Sequence, residues 1–281
     1  MTLPEHSSEA NGGRSLPEKR TQQILGIAFS GNSASEAVEL ALAGGLVLAP
    51  AAPPLAADFL QDHSYREAIL RADFVLPDSG AMVLLWNLGH RFSSAKTLSR
   101  LSGLEFLKSL VAKLAAQPEI RSFWIMPNEA EQSANLRWLR ARGLARITER
   151  DCYIAPNYTA NNLVDGHGLR DLALLARLET ARPNVIVVNL GGGIQEKLGF
   201  FLKQELSFRP AIICTGAAIA FLSGCQASIP GWADRYYLGW FLRILHAPKK
   251  FGPRYLRALK IVWLLVRYRE KLPCEAKIKS T

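Results

Sequence analysis

Short apolar runs alternate with longer segments of helical periodicity over most of the chain. The apolar runs, rich in β-branched and aromatic residues, are ILGIAF, GLVLAP, DFVLP, SFWIMP, DCYIAP, NVIVVNL and AIICTG. Between them lie segments of helical character, among them residues 33–43, 104–116, 130–142 and 169–180. This alternation is typical of βα units that build a mostly parallel sheet. The sequence therefore predicts a Rossmann-like three-layer α/β sandwich over residues 23–224, after a disordered polar tail at residues 1–22.

The pattern changes after residue 224, where aromatic side chains are interleaved with cations. Residues 235–271 include ten Lys or Arg and a single acidic residue. We expect a basic helical appendage over residues 225–272 and a terminal tail at residues 273–281. The cations of this appendage fit three roles: binding a nucleic acid, contacting an anionic membrane, or forming a solvated helical face. The interleaved Trp and Tyr favour the membrane, because such rings sit at the headgroup boundary.

No apolar run is long enough to span a bilayer, which requires about 20 apolar residues. The run IVWLLV at residues 261–266 is enclosed by Lys260 and Arg267. The polar N-terminal stretch also lacks the basic and then apolar order of a secretory signal. We therefore expect a cytoplasmic protein whose appendage contacts a membrane from one side.

In open α/β sheets, ligands bind beyond the carboxyl ends of the strands. Asp78 follows the run DFVLP, where its carboxylate suits either a general base or a helix N-cap. The segment NLGGGIQEKLGFFL joins a strand to a helix through glycines. Backbone N–H groups at such a helix start attract phosphate, and side chains of the first turn suit a base or ribose; a tight structural turn is the alternative. The candidate residues of this segment are Gly191, Gly192, Gly193, Gln195 and Glu196.

A third small-residue loop follows the run AIICTG and contains Thr215 and Gly216, with a close-packed turn as the alternative to ligand binding. Motifs for other chemistries, including G-x-G-x-x-G, H-E-x-x-H, G-x-S-x-G and D-x-D, do not occur. We therefore expect neither a metal site nor a cofactor, and a Rossmann dehydrogenase is disfavoured.

Five segments in chain order carry a family resemblance: YREAILRADFVLPDSG, LSRLSGLEFL, NLGGGIQEK, TGAAIAFLSG and IPGWADRYYLGWFLRILHAPKKFGPRYL. Together they resemble the WecG/TagA/CpsF glycosyltransferases (glycosyltransferase family 26) over about residues 24–268. The resemblance implies an inverting transfer from a UDP-sugar to a sugar linked to polyprenyl diphosphate, in bacterial cell-surface polysaccharide synthesis such as that of exopolysaccharide. It implies an enzyme peripheral on the inner face of the cell membrane, without nucleic acid as a partner, and leaves room for a homo-oligomer.

The same resemblance assigns roles to individual residues. Asp78 becomes the base, Arg100 contacts the donor or the acceptor, and Gln195 with Glu196 lies at the nucleotide pocket. The closing cations, which hold diphosphate at the membrane, fall among Arg243, Lys249, Lys250, Arg254 and Arg257.

The chain departs from the family pattern at several site positions. Ala49 and Ala51 stand where the family has Thr and Asn, Ala220 replaces an Asp and Gly239 replaces a Glu. These departures bear on which donor and acceptor are used. They also motivate an alternative, a non-catalytic peripheral membrane protein that binds a nucleotide sugar. A nucleic-acid binder, suggested by a pI near 9.6, is a further alternative.

Overall fold

The computed structural model describes residues 16–90, 97–158, 164–165, 168–226 and 260–275. Its strands are β1 Thr21–Ile24, β2 Ile27–Ser30, β3 Gly45–Leu48, β4 Phe74–Val75, β5 Ser122–Met126, β6 Cys152–Ile154, β7 Val164–Asp165, β8 Gly168–Leu169, β9 Val185–Val188 and β10 Ala211–Cys214. Its helices are α1 Ala34–Leu42, α2 Ala52–Gln61, α3 His63–Leu70, α4 Gly80–Gly89, α5 Gly103–Ala116, α6 Glu129–Ala141, α7 Leu172–Ala181, α8 Ile194–Glu205, α9 Ala218–Leu222 and α10 Lys260–Tyr268, with a 3₁₀ turn at Glu149–Asp151.

Eight strands form one sheet in the order β1-β2-β4-β3-β10-β9-β5-β6. Strand β1 is antiparallel to β2, and every other pairing in this sheet is parallel. All residues of β3, β5, β9 and β10 are buried. Strands covered on both faces need continuous apolar runs, which is the pattern seen in the sequence.

Helices cover both faces of this sheet. Alternate strand residues face opposite layers: Ile186 packs toward α2, α3, α4, α7, α8 and α10, whereas Val187 packs toward α1, α5, α6 and α9. Several helices begin at a side-chain cap, among them α1 at Ser33, α5 at Ser102 and α6 at Asn128. The predicted three-layer α/β sandwich is confirmed.

The prediction of a single strand over the run ILGIAF is wrong, because the chain reverses direction within this run. Leu25 and Gly26 have φ values of 54° and 76°, and they form the two-residue turn of the β1–β2 hairpin. Their N–H groups donate to the carbonyl oxygens of Arg269 and Glu270 at 2.7 and 2.9 Å. This link to the C-terminal segment holds a leucine in a left-handed conformation that few residues of its kind adopt.

The folded body extends beyond both predicted tail boundaries. Strand β1 begins within the predicted N-terminal tail, and Pro273 is buried and accepts a hydrogen bond from Arg66. Helix α10, which lies within the predicted appendage, packs beside α2 and α4 and buries Ile261, Leu264 and Leu265 in the core. Within the described ranges, no helix has the length and apolar character needed to cross a bilayer.

Candidate functional site

Three of the predicted site segments meet at one edge of the sheet. Strands β4, β3, β10 and β9 are consecutive neighbours and run parallel, so their carboxyl ends lie side by side. The loops that follow them contain Asp78, Ala49, Thr215 and the glycines from Gly191 onward. The arrangement matches the ligand-binding edge of open α/β sheets.

Asp78 is held at the N-terminus of α5. Its Oδ1 accepts the backbone N–H of Gly103 at 2.9 Å, and its backbone carbonyl accepts Nε of Arg100 at 2.9 Å. The N-terminus of a helix carries partial positive charge, which orients and stabilises a carboxylate. The structure therefore brings together Asp78 and Arg100, two candidate residues that come from separate segments of the family resemblance.

Gly103 is a further candidate residue, which the sequence did not single out. A Cβ atom there would lie 3.2 Å from the Thr215 carbonyl oxygen and 3.3 Å from Cβ of both Ala49 and Thr215. The absent side chain lets α5 approach the ends of β3 and β10 closely enough to reach Asp78. Its signal was Ser102 followed three residues later by Glu105, the spacing of a helix N-terminus.

Thr215 lies beside this helix start. Its side chain is 7% exposed, and its Oγ1 has no hydrogen-bond partner in the described part of the chain. A buried hydroxyl without a partner loses the hydrogen bonds it makes in water. Thr215 is therefore a polar group that a ligand could satisfy at this edge.

Side chains from the first turn of α8 hydrogen-bond to the glycine loop after β9 and to the loop after β10. Oε2 of Glu196 accepts the N–H of Gly193 at 2.7 Å, and Oε1 of Gln195 accepts the N–H of Gly216 at 2.6 Å. These two N–H groups, predicted to face a ligand, therefore already have partners within the protein. Gly191 is exposed and has open space beside its Cα.

Gln195 and Glu196 lie under the loops and not on the cleft surface. Their side chains are 1% and 0% exposed, and Nε2 of Gln195 donates to Oε1 of Glu196 at 3.1 Å. Together they connect the loop after β9 with the loop after β10. The pair therefore shapes both loops, whereas the sequence suggested direct contact with a base or ribose.

Burial raises the pKa of Glu196 from 4.5 to about 7, and the carboxylate of Asp58 acts in the same direction. The hydrogen bonds from Gly193 and Gln195 favour the ionised form and oppose this rise. The carboxyl that supports the glycine loop thus changes its charge near neutral pH.

Glu196→Gln is expected to remove a pH dependence of stability. Between about pH 4.5 and 7 the folded state binds more protons at this carboxyl than the unfolded state, so the free energy of unfolding falls as pH rises. The shift corresponds to roughly 3 kcal/mol. Denaturant unfolding across this range should show the fall in the wild type and not in the variant. Glu205→Gln, an exposed position on the same helix, is the control, and parallel pH curves for wild type and Glu196→Gln would contradict the assignment.

Other predicted features lie elsewhere. Arg243, Arg254 and Arg257 are outside the described residues, as are Lys249 and Lys250. In the described ranges no group of three or more His, Cys, Asp or Glu is arranged to bind a metal ion. A cavity of about 300 Å³ lies between α3, β8 and α8, lined by residues that include His63, Lys197 and Phe201. It contains none of the predicted site residues.

A family model and two curated relatives match most of the chain. The model of the glycosyl transferase WecG/TagA/CpsF family matches residues 22–274. An N-acetylglucosaminyldiphosphoundecaprenol N-acetyl-β-D-mannosaminyltransferase of Bacillus subtilis is 23% identical over 207 residues, which cover 73% of each chain. The protein of the same name from Bacillus spizizenii is 25% identical over 223 residues, covering 76% of this chain and 79% of the relative.

Proposed function

Because this chain belongs to the WecG/TagA/CpsF glycosyltransferase family, we propose that it transfers a sugar from a UDP-sugar to a sugar linked to polyprenyl diphosphate. The transfer inverts the anomeric centre and uses no metal. The names of the two relatives describe an acceptor of this class, a diphosphoundecaprenol that carries N-acetylglucosamine. The product belongs to a bacterial cell-surface polymer.

The observation that carries the proposal is the position of Asp78. Its carboxylate is fixed by the N-terminus of α5, at the edge where the glycine loops end. An inverting displacement needs one base aligned with the acceptor hydroxyl, on the side opposite the leaving diphosphate. Asp78 takes the proton from that hydroxyl, while the loop of Gly191 and Gly192 and the hydroxyl of Thr215 bind the nucleotide diphosphate.

Cations stabilise the leaving UDP in place of a metal. Arg100 lies beside Asp78, and the basic segment 225–272 supplies further positive charge through Arg243, Arg254 and Arg257. Fixed positive groups aimed at developing negative charge are a major source of rate enhancement. The same segment keeps the enzyme on the anionic inner face of the membrane, where a lipid-linked acceptor is presented.

A second candidate function is a protein that binds the nucleotide sugar without turning it over. It is favoured by the alanines at site positions, because Ala49 lies near the start of α5, 3.3 Å from where a Cβ on Gly103 would be, and has no polar side-chain atom. Thr215 fits either candidate, since within the described residues its buried Oγ1 has no hydrogen-bond partner and a ligand could supply one.

The test is UDP release by the purified full-length protein from a panel of UDP-sugars, in a buffer with EDTA. Each donor is assayed with and without an amino sugar linked to a lipid diphosphate in liposomes. Release that requires the acceptor supports the transferase and identifies the donor. UDP-sugar binding without release in any combination would favour the non-catalytic protein.

A further inference from the structure

Two neighbouring helices expose large apolar side chains. Leu84 and Leu88 of α4 are 53% and 61% exposed, and Trp263 and Val266 of α10 are 56% and 75% exposed. We refer to these four residues as the α4–α10 surface. Isolated exposed leucines are common on soluble proteins, whereas four large apolar residues on adjoining helices indicate a binding surface.

The four side chains point to the same side of the molecule. Helices α4 and α10 pack against each other in one layer, and each turns its opposite face to the core, through Met82, Val83 and Trp86 on α4 and Ile261, Leu264 and Leu265 on α10. Residues 84 and 88 are one turn apart, as are 263 and 266, so each pair forms a stripe on the outer face.

The charges around this surface fit an anionic lipid headgroup layer. Lys260 and Arg267 are exposed on α10, on the same side of the helix as Trp263. Helix α4, with the sequence GAMVLLWNLG, has no charged residue to oppose insertion. Leucine and tryptophan below a rim of cations is the composition of helices that lie in a membrane interface.

We propose that the α4–α10 surface docks on anionic phospholipid, with Leu84 and Leu88 entering the headgroup boundary beside Trp263 and Val266. This goes beyond the basic segment, because α4 lies in the predicted catalytic body. Helix α4 begins two residues after Asp78, so docking through α4 brings the base close to the membrane plane. The inference rests on the proposed function for its lipid-linked acceptor.

The experiment compares full-length wild type with Leu84→Glu/Leu88→Glu in vesicle sedimentation. Vesicles contain phosphatidylcholine with phosphatidylglycerol, or phosphatidylcholine alone. The paired change should lower binding to the anionic vesicles by about tenfold or more, because two carboxylates must enter an interface that repels them. Leu172→Glu is the matched control, because Leu172 is 68% exposed on α7, outside the surface; it should bind as the wild type does.

A second readout separates this inference from the proposed function. With a water-soluble, short-chain acceptor, the paired variant should release UDP at the wild-type rate. Its rate of UDP release should be lower than that of the wild type only when the acceptor is embedded in vesicles. Vesicle binding equal to that of the wild type would overturn the inference and leave the transferase intact. Failure of the wild type itself to release UDP from the donor in the presence of either acceptor would contradict the proposed function. An equal loss of binding in Leu172→Glu would show a charge effect without a defined surface.

Discussion

Replacing Asp78 with asparagine is expected to lower the rate of sugar transfer by about 100- to 10,000-fold, the usual contribution of a general base. The amide oxygen of asparagine can still accept the N–H of Gly103, so the start of α5 should keep its position. The side chain loses only its capacity to take a proton from the acceptor hydroxyl. UDP release would measure the effect, with circular dichroism and UDP-sugar binding as checks that the fold and the donor site persist.

Asp151→Asn provides the control for this change. Its carboxylate also accepts a backbone N–H, that of Thr148 at 2.9 Å, but it precedes β6 and so lies at the opposite edge of the sheet. Transfer in this variant should match that of the wild type. Near-normal activity in Asp78→Asn would remove Asp78 from the role of base and direct attention to another group at the same edge.

Replacing Gln195 with alanine is expected to raise KM for the donor by about tenfold to a hundredfold, with a smaller change in kcat. The side chain ties the N–H of Gly216 to Glu196, and its removal leaves both without that partner. Two loops that are displaced relative to each other hold the diphosphate less well, and a displacement of about 1 Å can cost a hundredfold. The unpaired groups should also lower the free energy of unfolding by about 1–3 kcal/mol.

Gln204→Ala tests whether this effect is specific. Gln204 is exposed on the same helix, so its removal leaves the loops tied and should change neither KM nor stability. Steady-state kinetics over a range of donor concentrations separates KM from kcat. A loss of stability in Gln195→Ala without any change in donor KM would mean that the side chain supports the fold alone.

The starts of several helices could be predicted closely, because the capping residue that begins each of these helices is visible in the local sequence. Ser33, Ser102 and Asn128 accept backbone N–H groups at the first turns of their helices, and each lies within two residues of the predicted start of its segment. The β1–β2 hairpin could not be predicted in this way. Its turn is Leu25–Gly26 in place of the usual Asn-Gly or Asp-Gly, and its conformation depends on Arg269 and Glu270, which are distant in the sequence.

The site could be predicted in part. The rule for strand ends located Asp78 and the glycine loops correctly at one edge, because it depends only on the order of elements. It did not foresee that Gln195 and Glu196 turn inward. A Cβ at Gly199 would lie 2.7 Å from Sγ of Cys214 and 2.8 Å from Cδ1 of Leu46, so glycine there lets α8 lie close over the sheet. Residues 195, 196 and 199 share one helix face, and that face is buried by a contact between distant segments.

The contact between the β1–β2 turn and residues 269–270 bears on the order of folding. The ribosome delivers the hairpin early and α10 after all the other described elements, so the layer that α10 completes stays open while the intervening elements are made. During that interval the partners of Ile261, Leu264 and Leu265 are uncovered, which is the condition in which nascent chains are most open to chaperones and to aggregation. Packing of α10 also places its outer face beside α4, so a partly synthesised chain has the loops around Asp78 before it has the complete α4–α10 surface.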